Sequence, residues 1–306
     1  MNFFTQCISF LDRLLQRNPG RKKKPGSSAA IGSLLDAVMA GDRHSVAEII
    51  KLHPRRVTVT RKDGLNPLHL ATLPEVARML LNADADVNTC DVHGNTPLHE
   101  AVRHGRIEVA RVLIQYGAQV TAANVEGMTP LHIAGSAPLA TLLLKHGAAL
   151  EARNMRGRTP LHEAVLYDGH EGLIRLLLSC GASVKTTDSM GSTPLHAAAG
   201  QGKIEIVRQF IAEGASATSA DNLGNTPLHA AANNGYRDVI RVLIAAGAEV
   251  NVVNNIGESP IFAAARPGHI KTIEMLIRAG ADPTLRNHAG ELPAHCERWL
   301  LEKERT

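Results

Sequence analysis

One proline-centred tetrapeptide constrains this chain more than any other feature. Thr-Pro-Leu-His stands at Thr96–His99, Thr129–His132, Thr159–His162, Thr193–His196 and Thr226–His229. Degenerate copies are Asn66-Pro67-Leu68-His69, Ser259-Pro260-Ile261-Phe262 and Leu292-Pro293-Ala294-His295. Successive prolines are separated by 30, 33, 30, 34, 33, 33 and 33 residues. One unit of this size cannot bury an apolar side alone, so neighbouring copies must stack around a shared core.

Each unit repeats the same local signals. An Asp or Asn three residues before a Gly, as in Asp91/Gly94 or Asn254/Gly257, is turn chemistry. The Thr then caps a helix, and Pro fits the first helical position, where its missing N–H would be unpaired anyway. A glycine such as Gly105 or Gly235 closes the short first helix. A second helix follows with one apolar side, for example Ile107, Val109, Val112 and Leu113, and ends on a Gly-Ala step such as Gly117-Ala118.

These residues strongly resemble the ankyrin-repeat family over about residues 31–306. The resemblance implies an all-α solenoid with a turn and an antiparallel helix pair per repeat. The expected organisation is an N-terminal tail and linker, 1–28, followed by a solenoid, 29–306. The solenoid divides into a capping unit at 31–60 and repeats at about 63–92, 93–122, 126–155, 156–186, 190–219, 223–252 and 256–285. A C-terminal cap at 289–306 makes about nine units in all.

Apolar residues make up 44% of the chain and aromatics only 3%, so Leu, Ala, Val and Ile must build the core. A net charge of +4 does not by itself call for nucleic acid as a partner. Cys7, Cys90, Cys180 and Cys296 form no C-x-x-C pair, which points to reduced thiols and a cytoplasmic setting. Cys180, at a helix end before Gly181, is expected to be buried. No apolar run is long enough to span a bilayer.

The 15 histidines raise the question of metal or catalysis. Seven of them (His69, His99, His132, His162, His196, His229 and His295) share one phase of the repeat. The resemblance implies that this His bonds locally and ties neighbouring turns. Stacked copies about 10 Å apart are too distant to share a metal ion. No phosphate-binding loop, G-x-S-x-G elbow or kinase motif set is present. The expectation is therefore a chain without catalysis, metal or cofactor.

In the family, turn tips and first helices form a concave face that grips another protein. Carried over by phase, that face presents Arg103, His104, Met155, Arg156, Arg158, Leu166, Tyr167, Met190, Leu223, Asn233, Asn234 and Ile256. Arg153, Arg156 and Arg158 cluster at one tip, a type of group that clamps carboxylates. Met190, Leu223 and Ile256 recur just before the turn glycine as an apolar stripe, and a partner is expected across residues 153–260. The two 30-residue units lose about three residues between their helices, where Pro74 and Pro138 should open the second helix. Asn88 and Asn251 follow Asp86-Val87 and Glu249-Val250, with Leu80 and Leu243 eight residues before them. That pattern is similar to the one hydroxylated by the oxygen-sensing asparaginyl hydroxylase of animal cells, beside the plainer reading of ordinary turn residues.

Before the repeats, Phe3, Phe4, Cys7, Ile8, Leu11, Leu14 and Leu15 share one helical side, ahead of Arg21, Lys22, Lys23 and Lys24. Three readings stay open: peripheral contact with an anionic membrane, nuclear targeting, or a helix folded onto the solenoid end. The leading expectation is a cytoplasmic adaptor or scaffold, monomeric alone. The alternative is a membrane- or nucleus-targeted regulator, a secreted bacterial effector acting in a host cell being a special case.

Overall fold

The computed structural model describes residues 34–294. The tail 1–28, with its basic run Arg21–Lys24, and the C-terminal cap from His295 onward lie outside the described residues.

Fifteen α-helices and one 3₁₀ turn, with no strand among the described residues, follow one another in pairs. α1 (Leu34–Ala40) and α2 (Arg43–Leu52) form the first pair, followed by the 3₁₀ turn Pro54–Thr58. Next come α3 (Pro67–Leu70) with α4 (Pro74–Asn82), and α5 (Pro97–Arg103) with α6 (Ile107–Gln115). α7 (Ala137–Lys145) has only a turn at 130–133 as its partner. The remaining pairs are α8 (Pro160–Val165) with α9 (Glu171–Ser179), and α10 (Pro194–Gly200) with α11 (Ile204–Ala212). α12 (Pro227–Asn233) with α13 (Arg237–Ala245), and α14 (Pro260–Ala265) with α15 (Ile270–Arg278), complete the stack.

The core follows from the period. Leu80, Leu113, Leu143, Leu177, Phe210, Leu243 and Leu276, one on the second helix of each unit, are all fully buried. Each such side chain contributes about 1.5–3 kcal/mol by leaving water. Because successive first helices and successive second helices pack against one another, removing one copy would expose its neighbours.

The phase-conserved histidines link the stack through hydrogen bonds. Thr96 N–H donates to His99 Nδ1 at 3.2 Å, and His99 Nε2 lies 3.0 Å from the Met128 carbonyl oxygen in the next unit. Nδ1 must therefore be an acceptor, which leaves the proton on Nε2. The same tie joins His69 to Asn95 O, His132 to Arg158 O, His162 to Ser192 O, His196 to Asn225 O and His229 to Glu258 O, at 2.9–3.3 Å. Burial lowers the basicity of all six rings, with His162 brought down to about 4.

The two short units lose their residues from the first helix. α3 has four residues where α5 has seven. Pro74 takes the first position of α4, and Pro138 the second position of α7. In both cases the next unit fills the gap. Arg106, just before α6, donates from a terminal guanidinium nitrogen to the Ala71 carbonyl at 3.1 Å. His170, at the corresponding place before α9, stands over Gly135, where an added Cβ would sit 3.6 Å from Nε2. His170 Nδ1 is buried without a hydrogen-bond partner among the described residues.

Candidate functional site

The turn tips are built by side-chain acceptors and a left-handed glycine. Asp91 Oδ1 accepts N–H bonds from His93 and Asn95, both at 2.8 Å, and Asn254 Oδ1 accepts from Ile256 and Glu258 at 3.1 and 2.9 Å. Gly127 has φ 72°, and a Cβ there would lie 2.9 Å from the Met155 backbone nitrogen. No side chain fits that approach. The tips join through backbone bonds: Val125 N to His93 O, Met155 N to Glu126 O, Asn222 N to Met190 O and Asn255 N to Leu223 O, each 2.9 Å.

Two residues at each tip face solvent, and their polarity exchanges along the stack. Val92, Val125 and Met155, directly after the turn Asp or Asn, are 58%, 55% and 77% exposed, and charged or titratable neighbours follow them (His93, Glu126, Arg156). From the next tip onward the order reverses. Ser189, Asn222 and Asn255 come first, and Met190, Leu223 and Ile256 follow, 52–55% exposed. The first apolar series does not stand out in the sequence as a stripe, because its phase differs by one residue from the second.

A groove of about 560 Å³ lies between the later tips and their first helices. It brings together Arg158, Leu166, Leu223, Asn233, Asn234 and Ile256 from the sequence candidates, with Asn225, Asn254, Glu258 and Arg266 beside them. Arg103, His104, Met155, Arg156, Tyr167 and Met190 do not line it.

Charges along this surface are mostly neutralised within the fold. Arg103 pairs with buried Glu100 and donates to Asn95 Oδ1 at 3.1 Å; His104 lies 3.5 Å from the same carboxylate. Burial raises the Glu100 pKa, but the His104 hydrogen bond and the Arg103 charge outweigh it and hold the carboxyl below its ordinary value. Arg158 sits 3.2 Å from Asp188 and 3.9 Å from Glu163, so it is already held by this chain's own carboxylates. Arg266 covers buried Glu258. Arg153 donates to the Gly157 and Thr187 carbonyls, whereas Arg156 is exposed and makes no ion pair among the described residues. Tyr167 is 37% exposed, its ring 5.5 Å from that of His170. The loop carrying it, lengthened by one residue, is pinned by Lys203, which lies 3.2 Å from Asp168 and donates to the Tyr167 carbonyl.

A family profile described as ankyrin repeats (3 copies) matches residues 34–124, 121–188, 167–254 and 195–287. The chain belongs to the ankyrin-repeat family. Among solved structures, the crystal structure of the ankyrin repeat domain of Bcl-3, described as a unique member of the IkappaB protein family, is 32% identical. That match covers 70% of this chain and 98% of the other, with a TM-score of 0.59. In all, 584 chains of solved structure match, so likeness to one of them identifies the repeat fold and no particular partner. No curated protein sequence matches.

Ankyrin repeats are protein-interaction modules, stacks that offer an extended surface built from many units. Among the described residues no group of three or more His, Cys, Asp or Glu is placed to hold a metal ion, and no helix is long and apolar enough to cross a membrane. Cys180, expected to be buried, is exposed, as is Cys90. Cys180 caps α9 at the end where the helix reaches solvent. Asn88 and Asn251 each bridge to the next ankyrin unit. Asn251 donates to Gly280 O at 3.0 Å and accepts from Asp282 N at 2.8 Å; Asn88 does the same with Gly117 O and Gln119 N at 3.2 and 2.9 Å.

Proposed function

We propose that this ankyrin-repeat chain is a non-catalytic adaptor that binds another protein across residues 153–260. The observation that carries this reading is the groove beside Leu223 and Ile256. Two half-exposed apolar side chains there overhang a floor rich in asparagine amides. Arg266 pairs with Glu258 and Arg158 with Asp188, while the Asp221 carboxylate accepts the backbone N–H groups of Leu223 and Asn225. Such a surface favours an uncharged, extended segment, with apolar side chains against the tips and backbone amides against Asn233 and Asn234. Arg156 and Tyr167 would then contact the partner beyond one end of the groove. The setting we infer is cytoplasmic; the basic run Arg21–Lys24 is the feature on which a nuclear or membrane alternative rests.

The test is affinity capture with the full chain, once a partner has been isolated on it. Leu223→Ala with Ile256→Ala should weaken binding more than tenfold, on the order of 1.4 kcal/mol or more. Tyr167→Ala with Arg156→Ala should add to that loss. The reading fails if the partner keeps full affinity for the Leu223/Ile256 variant yet is lost when Arg78, Arg175 and Arg208 on the second helices are replaced.

A further inference from the structure

The unit opened by Ser259 departs from all its predecessors at one side chain. Where the other well-formed units place His, this one places Phe262. One polar group loses its partner as a result, and a second keeps one donor where the preceding unit supplies two. Ser259 Oγ is fully buried and makes no hydrogen bond among the described residues, whereas Thr226 Oγ1 in the preceding unit lies 3.0 Å from His229 Nδ1. In that unit His229 Nε2 continues to the Glu258 carbonyl at 3.0 Å, giving it a second donor besides Asn254 N–H. The corresponding carbonyl, that of Glu291, accepts from Asn287 N–H alone among the described residues. The chain of inter-unit ties that runs from His69 to His229 therefore stops at Phe262.

The unsatisfied buried hydroxyl destabilises the closed form relative to one in which water reaches it, and the missing inter-unit bond leaves the turn at Glu291 with one tie fewer to the unit before it. In a stack held by nearest-neighbour contacts, one weak interface divides the array into separately opening parts. We propose that Phe262 and Ser259 form a built-in break, at which the turn at 287–291 opens independently of the preceding units. This goes beyond partner binding by the groove, because it concerns the turn at 287–291 and stands whether or not the groove is used.

Hydrogen–deuterium exchange on the full chain tests it, because two successive turns make matching bonds. Asn254, Asn255 and Gly257 donate to Glu258 O, Leu223 O and Asn254 O; Asn287, His288 and Gly290 donate to Glu291 O, Ile256 O and Asn287 O, all at 2.9–3.0 Å. The second set should exchange at least tenfold faster than the first. Phe262→His restores both the Ser259 partner and the Glu291 donor, and should slow the second set about fivefold or more. Position at the end of a stack would by itself leave Phe262→His indistinguishable from the parent chain. That result, or equal exchange in the two turns, would overturn the proposal. The converse variant, His229→Phe, should move the break one unit back and speed exchange at 254–257; unchanged exchange there would count equally against it.

Discussion

Arg106 reaches from the start of α6 into the preceding unit and donates to the Ala71 carbonyl at 3.1 Å, where α3 stops a turn early. A shortened helix leaves carbonyls without their usual donors, and here the next unit supplies one. The short unit and the residue that completes it are therefore one device, divided between two repeats.

Removing the donor should expose the defect. Arg106→Ala is expected to lower the free energy of unfolding by about 1–3 kcal/mol, the cost of leaving a buried acceptor unpaired. Arg106→Lys should recover part of that loss. Urea denaturation followed by circular dichroism measures both, and an Arg106→Ala midpoint equal to that of the parent chain would contradict the assignment.

Acid should weaken the stack through its histidines. In the folded chain six rings are kept neutral, and their pKa values lie below the ordinary value of 6.5 because burial disfavours the charge. The unfolded chain thus binds more protons as pH falls below 6.5. Stability is full above that value and declines toward pH 4, the level to which His162 is lowered. The expected loss is on the order of several kcal/mol summed over the six sites. Denaturant midpoints measured from pH 7.5 to 4 should fall over this interval; a flat profile would show that the rings are not held neutral.

Asn251 should matter to stability more than its exposure suggests. It bridges Gly280 O and Asp282 N, so Asn251→Ala is expected to cost about 1–3 kcal/mol. Asn233→Ala, whose side chain is exposed and makes no hydrogen bond among the described residues, should stay within about 0.5 kcal/mol. Both are read by thermal denaturation. If Asn251 is hydroxylated in animal cells, mass spectrometry should show a +16 Da species on that residue, and the bridging amide implies that the turn opens to admit the enzyme.

The register of the stack was legible in the sequence because it depends on chemistry within a few residues. Thr before Pro, His three residues after Thr, and Gly three residues after Asp or Asn each act on their own turn. The same locality made the apolar side of each second helix readable, whereas the His tie to the next turn was implied by the family resemblance. Leu223 and Ile256 were legible as tip residues for the same reason. The Val92, Val125 and Met155 series was harder to see, since its one-residue change of phase has meaning only once the tips are laid side by side.

The amino-acid sequence by itself determined the repeat, the turn that opens each copy and the apolar side of the second helices, because those choices recur in every copy. Tertiary structure alone decided what joins one copy to the next where the copies differ. Arg106 and His170 differ in chemistry, yet both occupy the gap left by a short neighbour. Arg158, which the sequence offers as a clamp for a partner's carboxylate, is already held by Asp188 thirty residues further on. Distances across units depend on the packing of whole helices, and the local signals of one repeat carry no record of them.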